Sequence, residues 1–268
     1  MRDSLPTYHL LLLLPTLATA SEAQNKDRAW LQYYKGAELH GDAQWKRDIW
    51  PRIGMANFSR VLEIAPGGGR LTDRLLHAMR PGDKLVGVEK NRVAVETLLR
   101  KRFATHAEDN PRAKKVATFH INNGSTLQMI PDASISFVFS WDSMVHFAPE
   151  DVASYIVEIY RVLRPGGTGF LHHSNLPQCK GKAARGRAHG PDGSCGVPVL
   201  ARKNPHGRNL MTCDIFAKLA RSAGLEMTAS EKFLWPPEKE KRALRGVKVI
   251  SDCVSSFRKP CPSAAPKC

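Results

Sequence analysis

The sequence predicts an α/β domain built on a mostly parallel sheet with helices on both faces, and three observations carry that reading. A short apolar run, Arg60-Val61-Leu62-Glu63-Ile64, enters a glycine-rich turn, Ala65-Pro66-Gly67-Gly68-Gly69, that opens a helix. Further apolar runs then alternate with stretches of helical period as far as Leu163. Several of these runs stop at polar residues, namely Glu89, Asn122-Asn123 and Asp142-Ser143. Strands that alternate with helices in this way pair in parallel, because each crossover helix must pack back onto the sheet.

Taken in order, Lys84 to Val88 is the second strand, ending at Glu89. Apolar residues of helical period run from Arg92 to Phe103, and Val116 to Ile121 is the third strand, closed by Asn122-Asn123-Gly124-Ser125. Ile135 to Trp141 is the fourth, and Asp151 to Leu163 is an amphipathic helix that Arg164-Pro165-Gly166-Gly167 ends before a fifth strand, Thr168 to His172. Proline and glycine together stop a helix, since one lacks the N–H and the other the restriction that helix needs. Met211 to Ala223 reads as a helix closed by Gly224, and Leu225 to Trp235 and Val247 to Phe257 as two final strands. The aromatic-rich stretch from Trp30 to Trp50 reads as helical segments that cap the sheet.

The chain ends and the basic segment are organised differently. Arg2, the apolar Leu10 to Leu14 and Ala18-Thr19-Ala20 have the order of a secretory signal peptide, so residues 1–20 are expected to be removed in a secretory or secreted product. A cytoplasmic or organellar location is the alternative. Residues 21–55 form the expected N-terminal cap, 56–258 the α/β domain and 259–268 a tail. Within the domain, 176–209 is a basic insertion carrying Lys180, Lys182, Arg185, Arg187, Arg202, Lys203 and Arg208 against Asp192. It follows the fifth strand, so it is expected either as a lid on the substrate side or as a merely solvated insertion. All six cysteines lie in the second half; Cys179 with Cys195 and Cys261 with Cys268 are feasible staples, but six cysteines allow about 15 pairings. Asn57-Phe58-Ser59 is a glycosylation sequon that matters only on the secretory route. No apolar run is long enough to span a bilayer, and no Cys/His spacing suggests a metal.

Glycines at a strand-to-helix turn let backbone approach a ligand while the helix N-terminus offers unpaired N–H groups. An acid about 20 residues later, at the end of the second strand, is placed to take ribose hydroxyls. Glu63 to Gly69 resembles the first motif of the class I S-adenosylmethionine-dependent methyltransferases, with Ala65 where that family usually has its first glycine. Leu163-Arg164-Pro165-Gly166-Gly167 resembles the family's helix stop, and Phe139 to His146 with His172-His173-Ser174-Asn175 narrows the resemblance to a methyltransferase-11-like subgroup. The resemblance covers roughly Trp30 to Phe257 and implies a Rossmann-like fold and S-adenosyl-L-methionine as cofactor. His206-Gly207-Arg208 stands where the subgroup commonly has His-Trp-Arg.

Carried over residue by residue, the resemblance implies that Glu63, Ala65, Gly67 and Gly69 line the methionine part and Glu89 takes the ribose. Asn123 with Gly124 would meet the adenine, and Ser140 and Trp141 would lie beside the sulfonium. Asn123 equally suits a turn before glycine, and Trp141 equally suits the core. For catalysis, a hydroxyl acceptor is helped by a base. His146 and His173 rank ahead of His172, with Asp142 as orienting acid; because side chains alternate along a strand, one of His172 and His173 at most faces a pocket there. The expected activity is methylation of oxygen on a small molecule or saccharide, anionic acceptors included. The net charge of +15 also raises RNA or DNA methylation, though no nucleic-acid module accompanies it. A cofactor-binding protein without turnover is the third reading.

Overall fold

Seven apolar runs form strands: β1 (Arg60–Ile64), β2 (Lys84–Glu89), β3 (Val116–Ile121), β4 (Ile135–Ser140), β5 (Leu163–Ser174), β6 (Glu226–Trp235) and β7 (Ile250–Arg258). A computed structural model describes residues 28–29, 31–34, 41–175, 208–235 and 250–262. The leader, Trp30, most of the basic insertion, Cys179, Cys195, His206 and Cys268 lie outside the described residues.

The strands make one sheet in the order β3-β2-β1-β4-β5-β7-β6. The first five pair in parallel, and β7 runs antiparallel between β5 and β6. The parallel expectation therefore holds with one reversed strand near the far edge. β5 starts earlier than the sequence pattern suggests, at Leu163 rather than Thr168. The Pro165-Gly166-Gly167 stretch does end the preceding helix, but it is extended because Gly166 N–H donates to Lys259 O at 2.9 Å and Lys259 N–H to Gly167 O at 2.9 Å.

Helical residues cover both faces. Residues 28–29 and 31–34 are helical, and they are followed by α1 (41–53), α2 (Thr72–Ala78), α3 (94–102), α4 (Pro149–Val162) and α5 (Cys213–Ser222). Helix α4 begins at a proline, whose missing N–H costs nothing in a first turn, with Glu150 and Asp151 complementing the positive end of the helix dipole. Its residues Val152, Tyr155, Ile156, Ile159 and Val162, at helical spacing, pack with Phe216 and Ala220 of α5 into one apolar core. On the other face Ile49, Ile53, Leu75, Leu76, Val95 and Leu99 make the second core with Phe137 and Phe139. Two covered faces explain why β1 and β4 are buried almost throughout rather than at alternate residues.

Cys213, the first residue of α5, is joined to Cys253 of β7 with the Cα atoms 5.7 Å apart. Cys261 is also in a disulfide. No helix among the described residues is long and apolar enough to cross a membrane.

Candidate cofactor site

The strand order reverses direction between β1 and β4, and in open α/β sheets ligands collect at the carboxyl ends of the strands beside such a reversal. A cavity occurs there. One wall is the turn after β1, with Ala65, Pro66, Gly67, Gly68, Arg70 and Leu71; the opposite wall is the segment after β4, with Trp141, Asp142 and Ser143. Glu63 forms the floor, and Tyr33 and Tyr34 from the N-terminal segment complete the lining.

The glycine turn is held open by its conformation and by its neighbours. Gly67 has φ +58°, and a Cβ there would stand 2.8 Å from the Tyr34 ring. Ala65 also takes a left-handed φ of 55°, a conformation that costs a residue with a side chain roughly 1–2 kcal/mol. Two hydrogen bonds hold it: Ala65 N–H donates to Val88 O at 2.8 Å, and the Ser143 hydroxyl donates to Ala65 O at 2.9 Å. The second bond ties the two walls together.

Glu89 closes the turn from β2. Its Oε2 accepts from Gly67 N–H at 3.0 Å and its Oε1 from Asn91 N–H at 2.8 Å. Burial pushes its carboxyl above the usual range, and those two N–H groups oppose the rise. Each oxygen keeps a further lone pair. Glu63 is pushed up to about 7 by burial, against the Thr72 hydroxyl that donates to it at 2.6 Å. Tyr34 is raised by burial and by the nearby Glu89.

Residues 61–167 match a family model described as a methyltransferase domain. Those residues form a methyltransferase domain. The fold of the domain is shared with an S-adenosylmethionine-dependent methyltransferase from Methanosarcina mazei, at 17% identity and a TM-score of 0.50, covering 76% of this chain and 93% of that one. It is also shared with an arsenic(III) S-adenosylmethionine methyltransferase from Chlamydomonas reinhardtii, at 20% identity and TM-score 0.51, covering 79% and 67%. The [4+2]-cyclase SpnF shares it too, at 15% identity and TM-score 0.54, covering 85% and 83%. At these identities the likeness concerns the fold alone.

S-adenosyl-L-methionine is the cofactor of this methyltransferase, and the cavity suits it. Gly67 and Gly68 put no side chain on the wall, Glu89 behind the turn offers acceptor capacity, and the buried Trp141 indole N–H has no hydrogen-bond partner among the described residues. Of the site residues expected from sequence, Glu63, Ala65, Gly67, Trp141 and Asp142 line the cavity. Gly69, at φ +85°, instead packs under the turn, where a Cβ would stand 2.6 Å from Phe103.

Four expectations need correction. Ser140 is fully buried below the mouth, its hydroxyl donating to Ile64 O at 2.9 Å. Asn123 turns its amide oxygen into its own loop, accepting from Ser125 N–H at 3.0 Å and Thr126 N–H at 3.1 Å as well as from both hydroxyls, so the turn reading prevails; Gly124, at φ +93°, completes that turn. His173 lies in the core, stacked 4.1 Å from Phe216, with Nδ1 at 2.9 Å from Ser174 O and Nε2 at 2.9 Å from the Ser255 hydroxyl. Burial pulls its pKa down to about 3, so it has neither access nor basicity for the assigned role. His146 is exposed on the short Met144–His146 turn and does not line the cavity.

The sequence places the Trp30 to Trp50 stretch beside the cofactor without singling out Tyr33 and Tyr34, and it does not mark Arg70. Their positions follow from chain crossings no local pattern encodes, although the paired tyrosines within an aromatic-rich stretch were the available signal. Arg70 donates to Asp142 Oδ2 at 2.9 Å across the mouth.

Proposed function

We propose that this methyltransferase methylates oxygen on a small hydroxyl compound or saccharide. The supporting observation is the mouth of the cavity, where Asp142, Arg70 and Tyr33 set a carboxylate, a guanidinium and a phenol around one opening. Such a set orients a hydroxylated acceptor by hydrogen bonds and accommodates one that also carries negative charge. When bound, the cofactor supplies an electrophilic methyl carbon on sulfur. An acceptor hydroxyl that would take that methyl group must give up its proton. With His173 buried, Asp142 is the residue that orients the acceptor and receives that proton's hydrogen bond, and alignment supplies most of the rate. Gly67, Ala65, Glu63 and Trp141 hold the methionine part, and Glu89 takes the ribose hydroxyls.

Purified protein incubated with methyl-labelled S-adenosylmethionine against pooled glycans, small hydroxyl compounds and RNA tests this reading. Label in an O-methyl group of a hydroxyl compound is the expected result. Label on RNA, or none in any pool while S-adenosylhomocysteine binds, overturns it.

Glu63 makes cofactor binding pH-dependent. Its ionised form faces the cationic methionine part, so affinity should rise as pH passes from about 6 to about 8, and Glu63→Gln should flatten that rise. Stability runs the other way. A carboxyl raised in the fold contributes fully below the ordinary value of 4.5, and that contribution is lost as pH rises through about 7. Calorimetric titrations and thermal melts over that range check both.

A secretory location also belongs to this proposal. The leader pattern, the exposed sequon residue Asn57 and the Cys213–Cys253 disulfide support it, since disulfides persist in oxidising compartments.

A further inference from the structure

Behind the wall formed by Trp141 and Asp142, three side chains that the transfer chemistry does not use, those of His172, Asp252 and Arg208, close a ring with Asp142. Asp142 has a left-handed φ of 56°, unusual for a residue with a side chain. Its backbone N–H donates to Nδ1 of His172 at 3.1 Å. With Nδ1 accepting, the other ring nitrogen, Nε2, is the one left to donate. Nε2 faces Asp252 Oδ2 at 3.2 Å, inside ion-pair range though off the line of a hydrogen bond. Asp252, fully buried, is gripped by Arg208 through Nε to Oδ1 at 2.9 Å and Nη2 to Oδ2 at 3.0 Å. Arg208 Nη2 returns to Asp142 Oδ1 at 3.9 Å and closes the circuit.

The imidazole is 2% exposed and lies 4.5 Å, centroid to centroid, from the Trp141 indole. Both of its nitrogens are directed at protein groups, so it has no site from which to take a proton from a substrate. What it can do is hold shape. The N–H bond it accepts fixes the backbone of Asp142 in a conformation that the residue would otherwise leave, and its flat face backs Trp141. Those two residues are the cavity wall opposite the glycine turn.

We propose that His172 is a positioning residue for the cofactor, acting through Asp142 and Trp141, with Asp252 and Arg208 fixing the imidazole in turn. The proposal rests only on the cofactor occupying this cavity and is independent of the acceptor. Its test therefore uses S-adenosylhomocysteine and no acceptor. Asparagine at 172 can place an oxygen near the Nδ1 position, whereas glutamine can place an amide near Nε2 but no acceptor at Nδ1.

Calorimetric affinities are measured for the wild type, His172→Ala, His172→Asn and His172→Gln, each with a thermal melt to show that it is folded. His172→Ala and His172→Gln should bind about tenfold more weakly, the cost of leaving one buried N–H without a partner, while His172→Asn should stay within about threefold of the wild type. A purely structural role predicts affinity that follows the melts and no rescue by asparagine. Native affinity in folded His172→Ala, or equal affinity in the asparagine and glutamine variants, overturns the proposal. If the alanine variant does not fold, the comparison of asparagine with glutamine decides it.

Discussion

Glu89→Ala should reduce affinity for S-adenosylmethionine by more than about a hundredfold. Its carboxylate carries two loads in the fold, accepting from Gly67 N–H at 3.0 Å and from Asn91 N–H at 2.8 Å. Removal leaves both donors without an acceptor at a site where water reaches poorly. Each charge-assisted bond is worth about 1.5–3 kcal/mol, so the glycine turn is expected to loosen even before the ribose contacts are counted. Glu89→Gln separates the two effects. Its single oxygen can satisfy one N–H, while its amide meets the other donor to donor, so it should bind more weakly than the wild type and more tightly than the alanine variant. Isothermal titration with S-adenosylhomocysteine ranks the three, and equal affinity across them would remove Glu89 from the cofactor site.

Asp252→Ala should cost about 3–5 kcal/mol of stability at neutral pH, the range for breaking a buried ion pair from one side. Asp252 is fully buried, and the alanine would strand Arg208, whose side chain is only 10% exposed, without its fork partner. Burial raises the Asp252 carboxyl, but contact with His172 and the charge of Arg208 outweigh it and hold the group below its ordinary 3.8. A carboxyl depressed in the fold stabilises fully above its unfolded value and loses that contribution as pH falls through the folded one. The wild type should therefore lose stability below about pH 4, and Asp252→Asn should lack that part of the acid slope. Urea melts at pH 7 and at steps down to about pH 3 measure both. A neutral Asp252→Ala, or an unchanged acid slope in Asp252→Asn, would show that the ring contributes nothing net.

The positions of the cofactor elements were legible in the sequence because each is a local event. A glycine turn after a buried strand, an acid closing the next strand and a Pro-Gly-Gly helix stop leave marks within a few residues of themselves. β3 spans Val116–Ile121, as its apolar run suggests. Reversal of β7 was less visible, since direction depends on which neighbour a strand meets.

Side-chain roles depended on the tertiary structure. His172 and His173 are adjacent in the chain, and alternation along β5 sends them to different surroundings, so ranking His173 ahead of His172 from strand-end position lacked the faces that decide it. His173 fell on the α5 face against Phe216, and His172 on the face shared with Trp141. Asn123 illustrates the opposite case, because its short-range turn geometry captured an amide that could otherwise reach a ligand. Local composition by itself determined the class of sheet, the glycine turn and the acid at Glu89, since those rest on backbone conformation and strand length. Only folding brought Asp142 of the β4 end to Arg70, and Asp252 of β7 to His172 and Arg208, because pairing charges across 44 or more residues depends on strand order rather than on any neighbouring residue.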